Sequence, residues 1–134
     1  MKILIILILA SILFIAEGFV FTNYPINKNS LPSSIDSFSL SNGKIVFSQS
    51  CSSCHGLKAE GSFGPNLTDN SYLHGHHYQN MMHVIKHGVK SKGMTAFGHH
   101  LTHAQIRDVA HYVLSLKGSN PQGAKAPQGK ACKY

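Results

Sequence analysis

The chain has 134 residues, 43% hydrophobic and 13% charged, with 12 Lys or Arg against 5 Asp or Glu. That length accommodates one small domain. The formal charge of +7 favours acidic docking faces or anionic lipid headgroups, or simply keeps the protein in solution. Basic runs with interleaved aromatics, the mark of nucleic-acid binders, are absent, so nucleic acid is excluded as a partner.

Met1 and Lys2 precede an apolar stretch over residues 3–16. One positive charge, a short apolar segment and the small residues Ala16 and Gly18 form the pattern of a secretory signal peptide, residues 1–18. The stretch falls short of the about 20 apolar residues that a bilayer span needs. Phe19, Val20 and Phe21 prolong it beyond Glu17, so an uncleaved N-terminal membrane anchor is the alternative. Residues 19–38, rich in Asn, Ser and Pro, read as a flexible linker.

A short helix is expected over residues 44–50. Gly43, Phe47 and Cys51 recur at every fourth position and so share one helix face. The glycine lets a second helix approach closely, and Phe47 supplies an aromatic contact. This face leads into Cys51-Ser52-Ser53-Cys54-His55. A C-x-x-C-H run is the attachment signature of a c-type haem: two thiols add to the two vinyl groups of one porphyrin, and the adjacent histidine is held below the iron. A redox dithiol would want a βαβ pattern around the pair, and none is visible. A zinc site would want a second ligand pair, whereas the remaining cysteine is Cys132. One covalent haem c is the expected cofactor, and one-electron transfer the chemistry it offers.

Residues 56–70 read as a loop punctuated by Gly61, Gly64 and Pro65. A haem histidine donates its Nδ1 proton to a backbone carbonyl, which fixes the ring. A Gly64-Pro65 turn can deliver that carbonyl, and a plain turn proline is the alternative. A helix is expected over residues 77–87, with Met81, Val84 and Ile85 inward and Gly88 as its stop. Residues 90–100 are loop-like again. There Met94, between Gly93 and Gly98, is the candidate second axial ligand, since a thioether favours ferrous iron relative to bis-histidine ligation. His87, His99 and His100 flank the same loop and compete with it, while Met81 and Met82 read as core. Most of His74, His76, His77, His83, His103 and His111 are expected at the surface.

The clearest helix spans residues 103–117. Thr102 and Gln105 form a capping box, and Ile106, Val109, Ala110, Val113 and Leu116 fall on one buried stripe. Gly118 ends it. Residues 119–134 form a Gly/Pro/Lys tail, disordered or laid over the surface. The result is an all-α domain, residues 39–118, of three to four helices with long loops. About 95 mature residues bury only some 60–65% of their chain surface, and loops of this length are unusual in a compact helical domain. A large planar apolar cofactor answers both problems.

Gly43-Lys44 and Phe47, the run from Cys51 to Gly56, Gly64-Pro65-Asn66-Leu67-Thr68-Asp69 and Tyr72-Leu73-His74-Gly75 occur in that order. They are followed by Ile85, Gly88, Gly93-Met94, Ala96-Phe97-Gly98 and Leu101. Ile106, Val109-Ala110, Tyr112-Val113, Ser115-Leu116 and Gly118 complete the series. The series resembles a class I monohaem cytochrome c domain. The likeness is greatest to the C-terminal haem domain of the dihaem cytochrome c subunit of cbb-type haem-copper oxidases.

The resemblance implies the class I cytochrome c fold, Cys51 and Cys54 as thioether links, and His55 and Met94 as the iron's two axial ligands. It also implies Pro65 as the carbonyl acceptor of the His55 Nδ1 proton, Tyr72 near a propionate, and a helix crossing built by Gly43, Phe47 and Tyr112. It implies an electron carrier with no catalytic residues, exported to the periplasm or anchored outside the cytoplasmic membrane. Its partners would be a terminal oxidase or a quinol-oxidising complex. The alternative function is a small haem c enzyme, acting on peroxide or a sulfur compound through an open or displaceable sixth ligand. The chain departs from the family in having one haem motif, Thr95 where proline often follows the methionine, and Cys132, a free or intermolecular thiol.

Overall fold

The computed structural model describes residues 37–132; the signal or anchor segment, 1–18, and nearly all of the linker lie outside them. Helices α1 (Ser37–Ser50), α2 (Ser52–His55), α3 (Tyr78–His87) and α4 (His103–Ser115) carry the fold. They are joined by long loops, a 3-10 turn at Lys90–Lys92 and two short strands, β1 (Ser71–Tyr72) and β2 (Lys130–Ala131). None of the described helices is long and apolar enough to cross a membrane.

The apolar stripe of α4 decides the packing. Ile106, Val109, Ala110 and Val113 are buried, together with Val46 and Phe47 of α1, Ile85 of α3 and Ala59. Helix α1 crosses α4 at Gly43, where an added Cβ would strike the Asp108 carbonyl and come within 2.8 Å of Tyr112 Cβ. One turn on, the Phe47 and Tyr112 rings meet with centroids 5.5 Å apart, an attractive tilted pair. Helix α3 packs on α4 from another side. Around this small core Cys51, Leu67, Met81, Met82, Phe97 and Leu101 are only half-buried.

Helix α1 already includes Ser37, the first described residue, and so runs well ahead of the expected start at Lys44; the last two residues of the expected linker are helical. The cause is a long-range partner. Ser39 Oγ donates to Asp108 Oδ1 at 2.8 Å and Asn42 Nδ2 to Asp108 Oδ2 at 2.6 Å, so polar residues that look linker-like satisfy a buried carboxylate on α4. The start of α4 is the expected capping box of Thr102 and Gln105. Its end is two residues earlier than expected. Leu116 and Lys117 N–H turn to carbonyls three residues back, and Gly118 N–H donates to Thr68 O at 2.6 Å.

Helix α3 stops at Gly88, whose φ of +69° suits glycine. Its exposed carbonyls are capped by the following loop: Phe97 N–H donates to Ile85 O and Gly98 N–H to Lys86 O, each at 3.0 Å. The tail lies over the surface. β2 pairs antiparallel with β1, Ser71 opposite Ala131 and Tyr72 opposite Lys130. Neither short strand had a pattern long enough to be read from the sequence.

Candidate haem-binding site

The C-x-x-C-H run folds as the single turn α2, continuing from α1. Cys51 N–H donates to Phe47 O at 2.9 Å, and His55 N–H to Cys51 O at 3.0 Å. Cys51 and Cys54 are both free thiols, the first half-buried and the second exposed. Burial, helped by the charge of Cys54, pushes the Cys51 thiol up to about 11. A redox dithiol needs a thiolate favoured by its surroundings, and this one is disfavoured. Among the described residues, no three His, Cys, Asp or Glu side chains are arranged to hold a metal ion, so the second ligand pair of a zinc site is not assembled there.

The following loop folds back onto the motif. Gly61 N–H donates to His55 O and Gly64 N–H to Cys54 O, both at 2.7 Å. These bonds bring the Pro65 carbonyl to 3.0 Å from His55 Nδ1. A carbonyl only accepts, so the proton sits on Nδ1 and Nε2 keeps its lone pair. Gly64 packs against the ring itself: a Cβ there would lie 2.8 Å from His55 Cε1 and 2.9 Å from Nδ1. Burial holds the His55 pKa below its ordinary value; the Pro65 bond opposes this and the Lys125 charge adds to it. A neutral imidazole, the ligating form, is what this environment keeps.

Asn66 fixes the far side of the loop. Its Oδ1 accepts from Thr68 N and Oγ1, at 2.8 and 2.7 Å, and its Nδ2 donates to Lys125 O at 3.1 Å. Asn66 and Thr68 are buried. Sequence reasoning assigned neither Asn66 nor Lys125 a role here.

The other expected site residues sit on separate elements. Met94 is half-buried in a tight hairpin. Its N–H donates to Val89 O at 3.2 Å and Val89 N–H to Met94 O at 3.0 Å, with Gly93 left-handed at φ +76°. Gly88 abuts the Met94 carbonyl, which ties the hairpin to the end of α3. The competing His87, His99 and His100 are exposed. Tyr72 lies on β1 with the Lys117 ammonium 4.2 Å from its ring centre. A cavity of about 470 Å³ opens between Tyr72, Leu73, His76, Lys130 and Cys132; none of Cys51, Cys54, His55 and Pro65 lines it.

Comparison with known proteins fits this geometry. The family model for cytochrome c oxidase, cbb3-type, subunit III matches residues 39–113, more than half of the chain. The chain belongs to that cytochrome c family. It is 36% identical over 106 residues to the cbb3-type cytochrome c oxidase subunit CcoP of Azospirillum sp. (strain B510), covering 69% of this chain and 36% of that subunit. With the subunit FixP of Sinorhizobium medicae (strain WSM419) it shares 37% over 105 residues, covering 72% and 36%. The chain thus spans about a third of the length of these relatives. Among solved structures, cytochrome cL from Methylophaga aminisulfidivorans superposes with a TM-score of 0.57 and 30% identity, covering 60% of this chain and 57% of that one. The class I cytochrome c domain expected from the sequence is thereby established.

The residues present fit the family's haem c. Two unpaired thiols stand one turn apart, beside an imidazole whose Nδ1 is already bonded and whose Nε2 is available. Leu67, Met81, Met82, Phe97 and Leu101, half-buried against the core, leave apolar surface of the kind a flat apolar ring covers.

Proposed function

We propose that this chain is an exported c-type cytochrome with one covalent haem c, passing single electrons to or within a terminal oxidase of the cbb3 type. The observation that carries the reading is the 3.0 Å bond from His55 Nδ1 to the Pro65 carbonyl, one turn from two free thiols. When bound, the haem supplies a one-electron iron couple. In this reading Cys51 and Cys54 hold it by thioether bonds and His55 ligates through Nε2. Met94, pinned in its hairpin, would offer its thioether to the iron. Pro65 keeps the proton on Nδ1 and fixes the imidazole plane. Tyr72 would lie near a propionate, where the Lys117 ammonium 4.2 Å from its ring centre would add the positive charge that a carboxylate favours. The +7 surface charge steers the domain to an acidic partner face. Residues 1–18 deliver the domain across the cytoplasmic membrane and leave it either free or anchored there.

The test is expression with haem-maturation machinery, followed by denaturing acid extraction. Wild type retains its haem, and a variant carrying both Cys51→Ala and Cys54→Ala loses it. The reduced spectrum is sharp and low-spin, and a ferric methionine-to-iron band disappears in Met94→Ala. Complete extraction of the haem from wild type would overturn the assignment. A high-spin, ligand-accessible iron would instead favour an enzyme with an open sixth position.

A further inference from the structure

One lysine of the tail binds the loop beside His55 through every polar group it has. Lys125 N–H donates to Glu60 O at 2.9 Å, and its carbonyl accepts from Asn66 Nδ2 at 3.1 Å. Its ammonium reaches three successive carbonyls, those of Ser62 at 3.0 Å, Phe63 at 3.4 Å and Gly64 at 3.3 Å. An ammonium has three donors and no acceptor, so three converging carbonyls match it. The loop is shaped for this side chain. At Gly61, where φ is +90°, an added Cβ would come within 2.9 Å of Lys125 Cβ.

The bound segment is also the one that grips the haem motif. Gly61 and Gly64 donate to the carbonyls of His55 and Cys54, Gly64 lies against the imidazole, and Pro65 accepts from Nδ1. Gly64 accepts from the Lys125 ammonium through its carbonyl and lies against the His55 ring. Lys125 is half-buried, and in such surroundings a charge is screened less than in water.

We propose that Lys125 is a positioning residue for the His55 side of the haem, holding the loop of residues 60–66 against the imidazole and placing there a positive charge that raises the iron's reduction potential. A nearby cation favours the reduced state, which carries one positive charge fewer, and groups behind a ligand tune the metal through it. The inference rests on the haem reading above.

The full chain is produced with haem-maturation machinery as wild type, Lys125→Met, Lys125→Gln and Lys125→Arg. Two quantities are read: the midpoint potential by spectroelectrochemical titration, and amide exchange at Gly61 and Gly64. The two neutral variants are expected to show a lower potential and exchange faster by about tenfold or more, through easier local opening. Lys125→Arg is expected to match wild type in potential. An unchanged or higher potential in the neutral variants overturns the proposal even if exchange quickens, because the lysine is then only a structural tie. If neither neutral variant retains haem but Lys125→Arg does, the loop requires a cation and the proposal stands. Failure of Lys125→Arg as well overturns it. A wild type that itself holds no covalent haem sinks the haem reading, a result distinct from all of these.

Discussion

Gly64 tests whether the imidazole is held by contact as well as by a hydrogen bond. In Gly64→Ala the new methyl meets the His55 ring at under 3 Å, so either the ring tilts or the loop lifts, and both lengthen the bond to Pro65. Overpacking of this kind costs about 1–3 kcal/mol. The expected outcome is a lower urea midpoint with an unchanged slope, accompanied by a perturbed low-spin spectrum in the haem-loaded protein. Wild-type stability and spectrum would mean that the loop yields freely. At this scale a sequence proposes a site wherever chemistry demands particular residue types at fixed spacing, as at Cys51, Cys54 and His55. The Gly64-Pro65 turn was legible as the source of a carbonyl that accepts from His55, because it follows His55 closely. Gly64 as a ring contact was not, since nothing local tells which side chain a glycine makes room for.

The crossing of α1 and α4 shows what one buried charge asks of its neighbours. Asp108 is 2% exposed and accepts from Ser39, Asn42 and both Nε and NH2 of Arg107, the last two at 3.1 and 2.9 Å. Burial works to raise its pKa, but hydrogen bonds from Asn42, Arg107 and Ser39, with the Arg107 charge, outweigh it and hold the carboxyl below its ordinary value. A carboxylate whose folded pKa is depressed contributes stability that is present above its unfolded pKa, about 3.9. That stability is lost as pH falls through the folded value. Asp108→Asn faces the Asn42 and Arg107 donors with an amide, and at pH 7 is expected to lose about 1–3 kcal/mol. Below about pH 4 its stability should fall less steeply than that of wild type, as urea titrations across pH would show. Equal acid slopes would remove Asp108 as the titrating group. The same network explains the early start of α1. Ser39 and Asn42 fall in the domain but outside the expected helix, because their partner 66–69 positions away leaves no local signal. By contrast, the capping box and apolar stripe of α4 were legible because both are local patterns.

At the scale of the molecule, the helical class followed from three amphipathic segments and the need of so small a core for a large apolar filler. The role of residues 119–134 did not follow, because Gly, Pro and Lys in the tail have neither helical nor strand periodicity. Over the described residues 119–132 the order comes from residues 60–72: β2 on β1, Cys132 N–H on Asn70 O at 3.0 Å, and Lys125 on the loop. Truncation after Gly118 removes all of these. It is expected to cost on the order of 1–3 kcal/mol in hydrogen bonds left without partners. At about 4–8 °C per kcal/mol for a domain of this size, the melting temperature should fall clearly in calorimetry. An unchanged melting temperature would show that the tail lies on the domain without stabilising it.

The separation between Gly64 and Lys125, sixty-one positions, is also an interval of time. A chain that emerges with its N-terminus first presents Cys51, Cys54 and His55 well before Lys125 exists. At about 5–20 residues per second, the lead of His55 over Lys125 lasts roughly 3.5–14 s of synthesis. During it the thiols are accessible and the imidazole is still free to turn. The same order holds for a chain that crosses a membrane N-terminus first, so Cys51, Cys54 and His55 reach the far side before the lysine that ties the loop over them.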